Sequence, residues 1–282
     1  MGLFAVLFFT VRAVAFDGQN NPIDNDLQKS WWWIVTGVIA VISFFFRLRV
    51  FDEIKDFSID SVNHPDRVLQ SGRVHLKQLQ IISYSLIALE VGWSLLTGVP
   101  TFLGWLAAVG YSLLMRYEFF VPVFLKKSLI LYGFTHMLIM PLIILWIYVA
   151  HAGLYFPLAF WYVCAASLLA GFSFEIARKI HAPSHERSGI DSYSKSLGFK
   201  VAVGTLLIVL AGGLAVQYLL LNALAANWYV VALIGIIYLL LLILYITNLR
   251  KPDENQLRKG ELLVSLFMIA SYLSVIIVVN FL

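Results

Sequence analysis

The sequence predicts an all-α integral membrane protein: nine transmembrane helices, in two four-helix halves plus a ninth helix, around a central cavity. Three observations predict it. Of 282 residues, 61% are hydrophobic and 13% charged, against about 45–50% and about 25% in soluble domains. The apolar residues form continuous runs near the roughly 20 residues that a 30 Å hydrocarbon layer requires, rather than the two-residue alternation of a barrel. The Lys and Arg residues gather in alternate connections between those runs.

The runs cover about 2–16, 31–51, 79–98, 100–120, 128–150, 153–174, 198–221, 227–248 and 262–281. The first is short and carries Arg12. It lacks a basic segment before it and a small-residue cleavage site after it, so it reads as a membrane helix rather than a signal peptide. Pro100, Pro122, Pro141 and Pro157 fall near the ends or inside spans, where neighbouring helices can cover the freed backbone groups. Cys164 is the single cysteine, which excludes an internal disulfide and a cysteine metal cluster.

Connections 17–30, 98–100, 151–153 and 222–227 are short or poor in basic residues, and the other four hold 18 of the 20 Lys and Arg. Arg47, Arg49, Lys55, Arg67, Arg73 and Lys77 open that series, and Arg250, Lys251, Arg258 and Lys259 close it. The positive-inside rule places these four in the cytoplasm, with the N-terminus inside and the C-terminus outside, in an inner or plasma membrane. A faint repeat relates the second and sixth spans. Each leads into a long polar loop ending in Ser-Gly, at Ser71-Gly72 and Ser188-Gly189. One domain, 1–282, then carries two loops, about 52–78 and 175–197, facing each other over one cavity, as sites at repeat interfaces do.

Asp52, Asp56 and Asp60 sit four residues apart. On a helix they form one stripe, and like charges at that spacing repel unless a cation sits against them. Magnesium is the simplest candidate, since it takes carboxylate oxygens, keeps several waters and bridges to phosphates. The facing loop presents Glu175, Glu186 and Asp191 beside Arg178 and Lys179, and Arg67 and Arg116 lie on the same side. Carboxylates with a metal and guanidinium donors suit a diphosphate leaving group. The interior, in a chain with 21 Phe, 13 Tyr and 8 Trp, suits a hydrocarbon tail and a transient carbocation. Polar head and apolar tail together describe an isoprenyl diphosphate.

The stretch Asp52-Glu53-Ile-Lys-Asp56-Phe-Ser-Ile-Asp60, then Arg67-Val-Leu-Gln-Ser71-Gly72, resembles the first motif of the UbiA superfamily of intramembrane prenyltransferases. That motif reads Asn-Asp-x-x-Asp-x-x-x-Asp followed by Arg-Pro-Leu-x-Ser-Gly. Tyr111-Ser-Leu-Leu-Met115-Arg116 partly matches the family's Tyr-Pro-x-x-Lys-Arg element, with Met115 replacing the first basic residue. The second motif departs. Gly189-Ile-Asp191-Ser matches its last element and Glu175 stands for one acid, but Arg178 and Lys179 occupy ground where another acid is expected. Either the second metal is lost and Arg178 and Lys179 contact the diphosphate, or Glu186 or Asp191 completes the site.

The resemblance implies a magnesium-dependent transfer of an isoprenyl group from a polyprenyl diphosphate to an unidentified acceptor, with release of diphosphate. It implies Asp56, Asp60 and Arg67 as catalytic residues. Asp52, Glu53, Asp56, Asp60 and Glu175 would hold the metal. Lys55, Arg67, Arg116, Arg178 and Lys179 would bind the diphosphate. Partners are then the prenyl diphosphate, the acceptor and membrane lipid, with no nucleic acid. A membrane terpene cyclase of the same fold, which quenches the cation internally, is an alternative. A transporter or lipid-binding protein is a more distant one, and its ionisable groups would lie near the midplane.

Other polar residues have plainer readings. The basic residues at 250–259 serve topology. Glu175, Arg178 and Lys179 could form a salt-bridged helix end. His136 reads as a hydrogen-bonded core residue, and His64, His181 and His185 show no metal-ligand spacing. Glu90, inside the third span, could line an acceptor cavity, pair with Arg12 or be protonated, since a charge there faces an interior.

Overall fold

The computed structural model describes residues 2–17, 30–63, 65–186 and 191–282. The expectations placed on His64, on residues 18–29 and on Arg187, Ser188, Gly189 and Ile190 lie outside the described residues. Twelve α-helices occur among the described residues, and no strand. They are α1 (Gly2–Asp17), α2 (Trp31–Asn63), α3 (Leu76–Thr97), α4 (Val99–Arg116), α5 (Pro122–Lys126), α6 (Leu129–Met137), α7 (Ile139–Ala152), α8 (Leu158–Arg178), α9 (Tyr193–Leu197), α10 (Phe199–Ala223), α11 (Trp228–Arg250) and α12 (Glu254–Phe281).

Seven helical segments among the described residues are long and apolar enough to cross a membrane: α2, α3, α6 with α7, α8, α10, α11 and α12. At 16 and 18 residues, α1 and α4 rise only about 24 Å and 27 Å. Both are packed among longer neighbours. Helices α1 to α4 contact one another in sequence, α4 packs on α7, and α8, α10, α11 and α12 follow in order. The first and last helices meet, and Thr10 Oγ1 donates to the Tyr272 carbonyl at 3.1 Å.

Local chemistry explains two departures from the apolar runs. Helix α2 does not stop where the apolar run ends near residue 51; it continues for 33 residues in all, to Asn63. The polar extension contains no Gly or Pro to break it. The run expected at 128–150 is interrupted at Leu138. Pro141 has no N–H for the Met137 carbonyl, and its ring crowds that oxygen, so the helix parts there and restarts with Pro141 in the first turn of α7.

Two buried clusters hold the bundle. One joins α1, α2, α3, α4 and α7 around Trp33, Trp93 and Trp146, and it reaches Phe160 of α8 and Tyr272 of α12. The other joins the end of α8 to α10, α11 and α12 around Ile176, Tyr193, Leu241 and Tyr245. Gly104 of α4 allows one close approach: a Cβ there would stand 3.0 Å from the Trp146 Cα. Small residues let helix backbones meet in this way where lipid gives no hydrophobic drive.

Glu90 has its partner inside the first cluster, and that partner is not Arg12. Fully buried, Glu90 accepts hydrogen bonds from Arg47 Nη1 at 2.7 and 2.8 Å, Ser43 Oγ at 2.7 Å and Trp105 Nε1 at 2.8 Å. Arg12 instead lies over the Phe16 ring at 4.6 Å. Arg47, expected in the first basic connection, is 2% exposed and belongs to the interior. Its position four residues after Ser43 puts both on the α2 face toward α3.

Candidate diphosphate site

The polar end of α2 presents its acids unequally. Asp60 is paired with Arg67 at 2.6 Å, and Glu53 with Arg49 one turn earlier. Asp52 and Asp56 are exposed and have no ion-pair partner among the described residues. The charges of Arg49, Lys55 and Arg178 act on Asp52, and Asp56 repels it. The stripe expected from spacing is therefore present, and two of its three members stay open.

Lys55 stands between them in sequence but turns to the connection after α4. Its Nζ is 2.6 Å from Glu118 Oε1, it bonds the Tyr132 hydroxyl of α6, and it sits 4.8 Å above the Tyr132 ring. Glu118 is 7% exposed and also meets Lys126 at 3.3 Å. Burial works to raise the Glu118 carboxyl, but the contact and charge of Lys55, with Lys126, hold it below the usual carboxylate range. Glu118, Phe119 and Phe120 have φ of 49°, 53° and 59°. The left-handed region costs a residue with a Cβ about 1–2 kcal/mol, so the surroundings must fix this turn. Phe119 packs edge-on against Tyr111 with ring centroids 5.3 Å apart, and Phe120 stacks on Tyr117 at 5.8 Å.

Arg116 has no carboxylate partner among the described residues. It bonds the Tyr84 hydroxyl at 3.3 Å and stands 4.8 Å over the ring of Phe51, next to Asp52. At the end of α8, Glu175 is 8% exposed and paired with Arg178 and Lys179, each at 2.6 Å. The three make one salt-bridged helix end. His136 bonds the Tyr132 carbonyl through Nδ1 at 2.8 Å and stacks on its ring at 4.1 Å. Lys55, Glu118 and Glu175 all act on it electrostatically. The ends of α2 and α8, the 117–128 connection and α6 thus converge.

The second polar loop is tied down on both sides. Tyr193 N–H donates to the Lys179 carbonyl at 2.9 Å, and its hydroxyl lies against Gly133 of α6. Burial, then the charge of Glu175, pushes the Tyr193 hydroxyl above its ordinary range. Glu186 accepts from Ser192 at 2.7 and 2.9 Å and from Ser194. Glu254 of α12 holds His181 Nδ1 at 3.0 Å, the Ala182 N–H at 2.9 Å and Arg258 at 3.1 Å. Asp191 is exposed.

Among the described residues, no three His, Cys, Asp or Glu side chains come together to hold a metal by themselves. Two open carboxylates one turn apart do fit magnesium shared with a substrate, because that ion uses one or two carboxylates, waters and phosphate oxygens rather than an all-protein cage. Of the expected ligands, Asp52 and Asp56 meet this test. Glu53, Asp60 and Glu175 are already neutralised by Arg49, Arg67 and the Arg178–Lys179 pair. Glu118 and Tyr132 were not legible as site residues; a lone acid among the basic residues Arg116, Lys126 and Lys127 was the available signal.

The family model described as the UbiA prenyltransferase family matches residues 6–271. The chain belongs to the UbiA prenyltransferase family. With seven helical segments among the described residues long and apolar enough to cross a membrane, it is a multi-pass membrane protein. The apo structure of a UbiA homolog from Aeropyrum pernix K1 matches with TM-score 0.68 and 17% identity, over 95% of this chain and 96% of that one. A structure concerning digeranylgeranylglyceryl phosphate synthase in membranes matches with TM-score 0.68 and 16% identity, over 99% and 94%. A UbiA homolog from Archaeoglobus fulgidus bound to GPP and Mg2+ matches with TM-score 0.56 and 15% identity, over 97% and 96%. At these identities the likeness is one of fold. No curated protein matches the chain in sequence.

Proposed function

We propose that this UbiA-family protein is an intramembrane prenyltransferase, moving an isoprenyl group from an allylic diphosphate to an acceptor and releasing diphosphate. The observation that carries the reading is the open pair Asp52 and Asp56, set one helical turn apart, with the charges of Arg49, Lys55 and Arg178 acting on Asp52. An Archaeoglobus fulgidus homolog of the same fold binds GPP with Mg2+, and in another structure DMAPP with Mg2+, which supports the same substrate class here.

Asp52 and Asp56 would hold magnesium, with Asp60, Glu53 and Glu175 exchanging their present cation partners as the diphosphate arrives. Bound magnesium would neutralise diphosphate oxygens and so improve the leaving group. Arg67, Arg116, Arg178, Lys179 and Lys55 would add cationic donors around it, Arg in bidentate fashion. Breaking the C1–O bond would leave the electron pair on diphosphate and an allylic cation that aromatic faces would stabilise. The acceptor then bonds to C1 and loses a proton, which the released diphosphate can take up.

In this reading α1 and α4 complete a nine-helix bundle of two halves and a closing helix. The 52–78 and 175–197 loops face the cytoplasm of an inner or plasma membrane. The arrangement around Glu90 weighs against transport, because this acid inside the third span is saturated by Arg47, Ser43 and Trp105.

Purified protein with magnesium, labelled geranyl diphosphate and a membrane-lipid extract as the source of acceptor should release diphosphate and transfer the label to the acceptor. Asp56→Ala should lower that rate about a hundredfold or more, as loss of a charge-stabilising group does. Unchanged turnover in Asp56→Ala and Asp52→Ala would refute the assignment.

A further inference from the structure

We propose that Glu118 sets the affinity of the diphosphate site by competing with the substrate for Lys55. The inference rests on the prenyl diphosphate reading above. Lys55 is the one cation on α2 between the two open carboxylates, yet its ammonium is turned to Glu118 at 2.6 Å and to the Tyr132 hydroxyl. Glu118 is an anion where the mouth must receive an anion. It is buried, lies close to His136 and Tyr132, and takes a second cation, Lys126, at 3.3 Å.

Its position is specified by the fold. Three successive residues with side chains, from Glu118 to Phe120, take positive φ. The aromatic contacts of Phe119 with Tyr111 and of Phe120 with Tyr117 hold that turn. Strained backbone of this kind persists where the surroundings over-determine it, and it clusters at ligand sites. A simple helical continuation of α4 would not carry the Glu118 carboxylate back to α2 in this way. Lys55 is therefore neutralised in the resting site, and a diphosphate must displace Glu118 to gain its charge. Glu118 is a positioning residue that acts through Lys55.

Inorganic pyrophosphate with magnesium is the probe, titrated calorimetrically into the purified full chain. Glu118→Gln keeps the shape and removes the charge. It should bind pyrophosphate about fivefold more tightly, the upper range for one partly exposed ion pair. Lys55→Gln should weaken binding, and Glu118→Gln/Lys55→Gln should bind like Lys55→Gln alone. Damage to the fold would weaken binding, so the expected gain separates the two effects. Should Glu118→Gln not yield folded protein, Glu118→Asp is the second variant, expected to bind more tightly by a smaller factor. Unchanged or weaker binding in the folded variant, or a gain that survives in the Lys55→Gln background, would overturn the inference. Failure of the unaltered protein to bind pyrophosphate with magnesium would overturn the prenyl diphosphate reading, and this inference with it.

Discussion

Replacing Glu90 by Ala should destabilise the bundle severely, and the structure gives the size. Glu90 is fully buried and Arg47 is 2% exposed. Truncation strands a guanidinium inside the first cluster and removes the acceptor for Ser43 and Trp105. Breaking a buried pair by deleting one partner costs about 3–5 kcal/mol, because the remaining charge has no compensation. Arg47 Nη2 already lacks a partner, so the arginine has no second acceptor to turn to. Glu90→Gln keeps hydrogen-bonding capacity and should fall between. The double variant Glu90→Leu/Arg47→Met replaces both charges with apolar groups and should recover most of the loss. The assay is thermal unfolding of the purified protein in one detergent, followed by tryptophan fluorescence. A melting temperature within a degree of the unaltered protein for Glu90→Ala, or a double variant as damaged as the single, would refute the reasoning.

Three further outcomes follow from packing and charge. A Cβ at Gly133 would press on the Tyr193 hydroxyl and stand 3.2 Å from Phe172, so Gly133→Val should cost about 1–3 kcal/mol of stability and show as earlier thermal unfolding. The Glu118 carboxyl is held below its unfolded value near 4.5, so its ion pairs stabilise the fold above that pH and the contribution fades as pH falls through the lower folded value. Melting curves of the unaltered protein and Glu118→Gln should therefore differ at pH 6 and converge in acid. Glu254→Gln weakens the hold on His181 and Ala182, and limited proteolysis should cut the 181–186 segment severalfold faster, with α12 itself intact.

Much of this was legible in the sequence. Continuous apolar runs marked where the long helices lie, since the bilayer fixes their apolar length, while α2 and α12 extend beyond the runs through polar residues and the 128–150 run is broken at Leu138. The aspartate stripe was readable because α2 stays helical to Asn63, so four-residue spacing became one face. What sequence could not show depends on pairing across helices. Glu90 and Arg47 are 43 positions apart, and nothing local marks either as the other's partner. Lys55 is paired with Glu118, which lies beyond two further helices in sequence, so nothing beside Lys55 marked that partner. The salt-bridged end formed by Glu175 with Arg178 and Lys179 was legible, because the two cations lie three and four residues on.

The interruption at Leu138 divides one membrane crossing into parts of different local stability. Below it in sequence, α7 is built into the first cluster, with Ile143, Ile144, Trp146 and Ile147 fully buried. Above it, only Gly133 of α6 is buried, although α6 carries Tyr132 and His136 to the site. Free energies of local opening follow buried apolar contact. Amides of α7 should therefore exchange with solvent deuterium only on global unfolding, while those of α6 exchange through smaller openings. The break insulates the core from the candidate site: α6 can loosen and re-form while the buried frame around α7 stays shut.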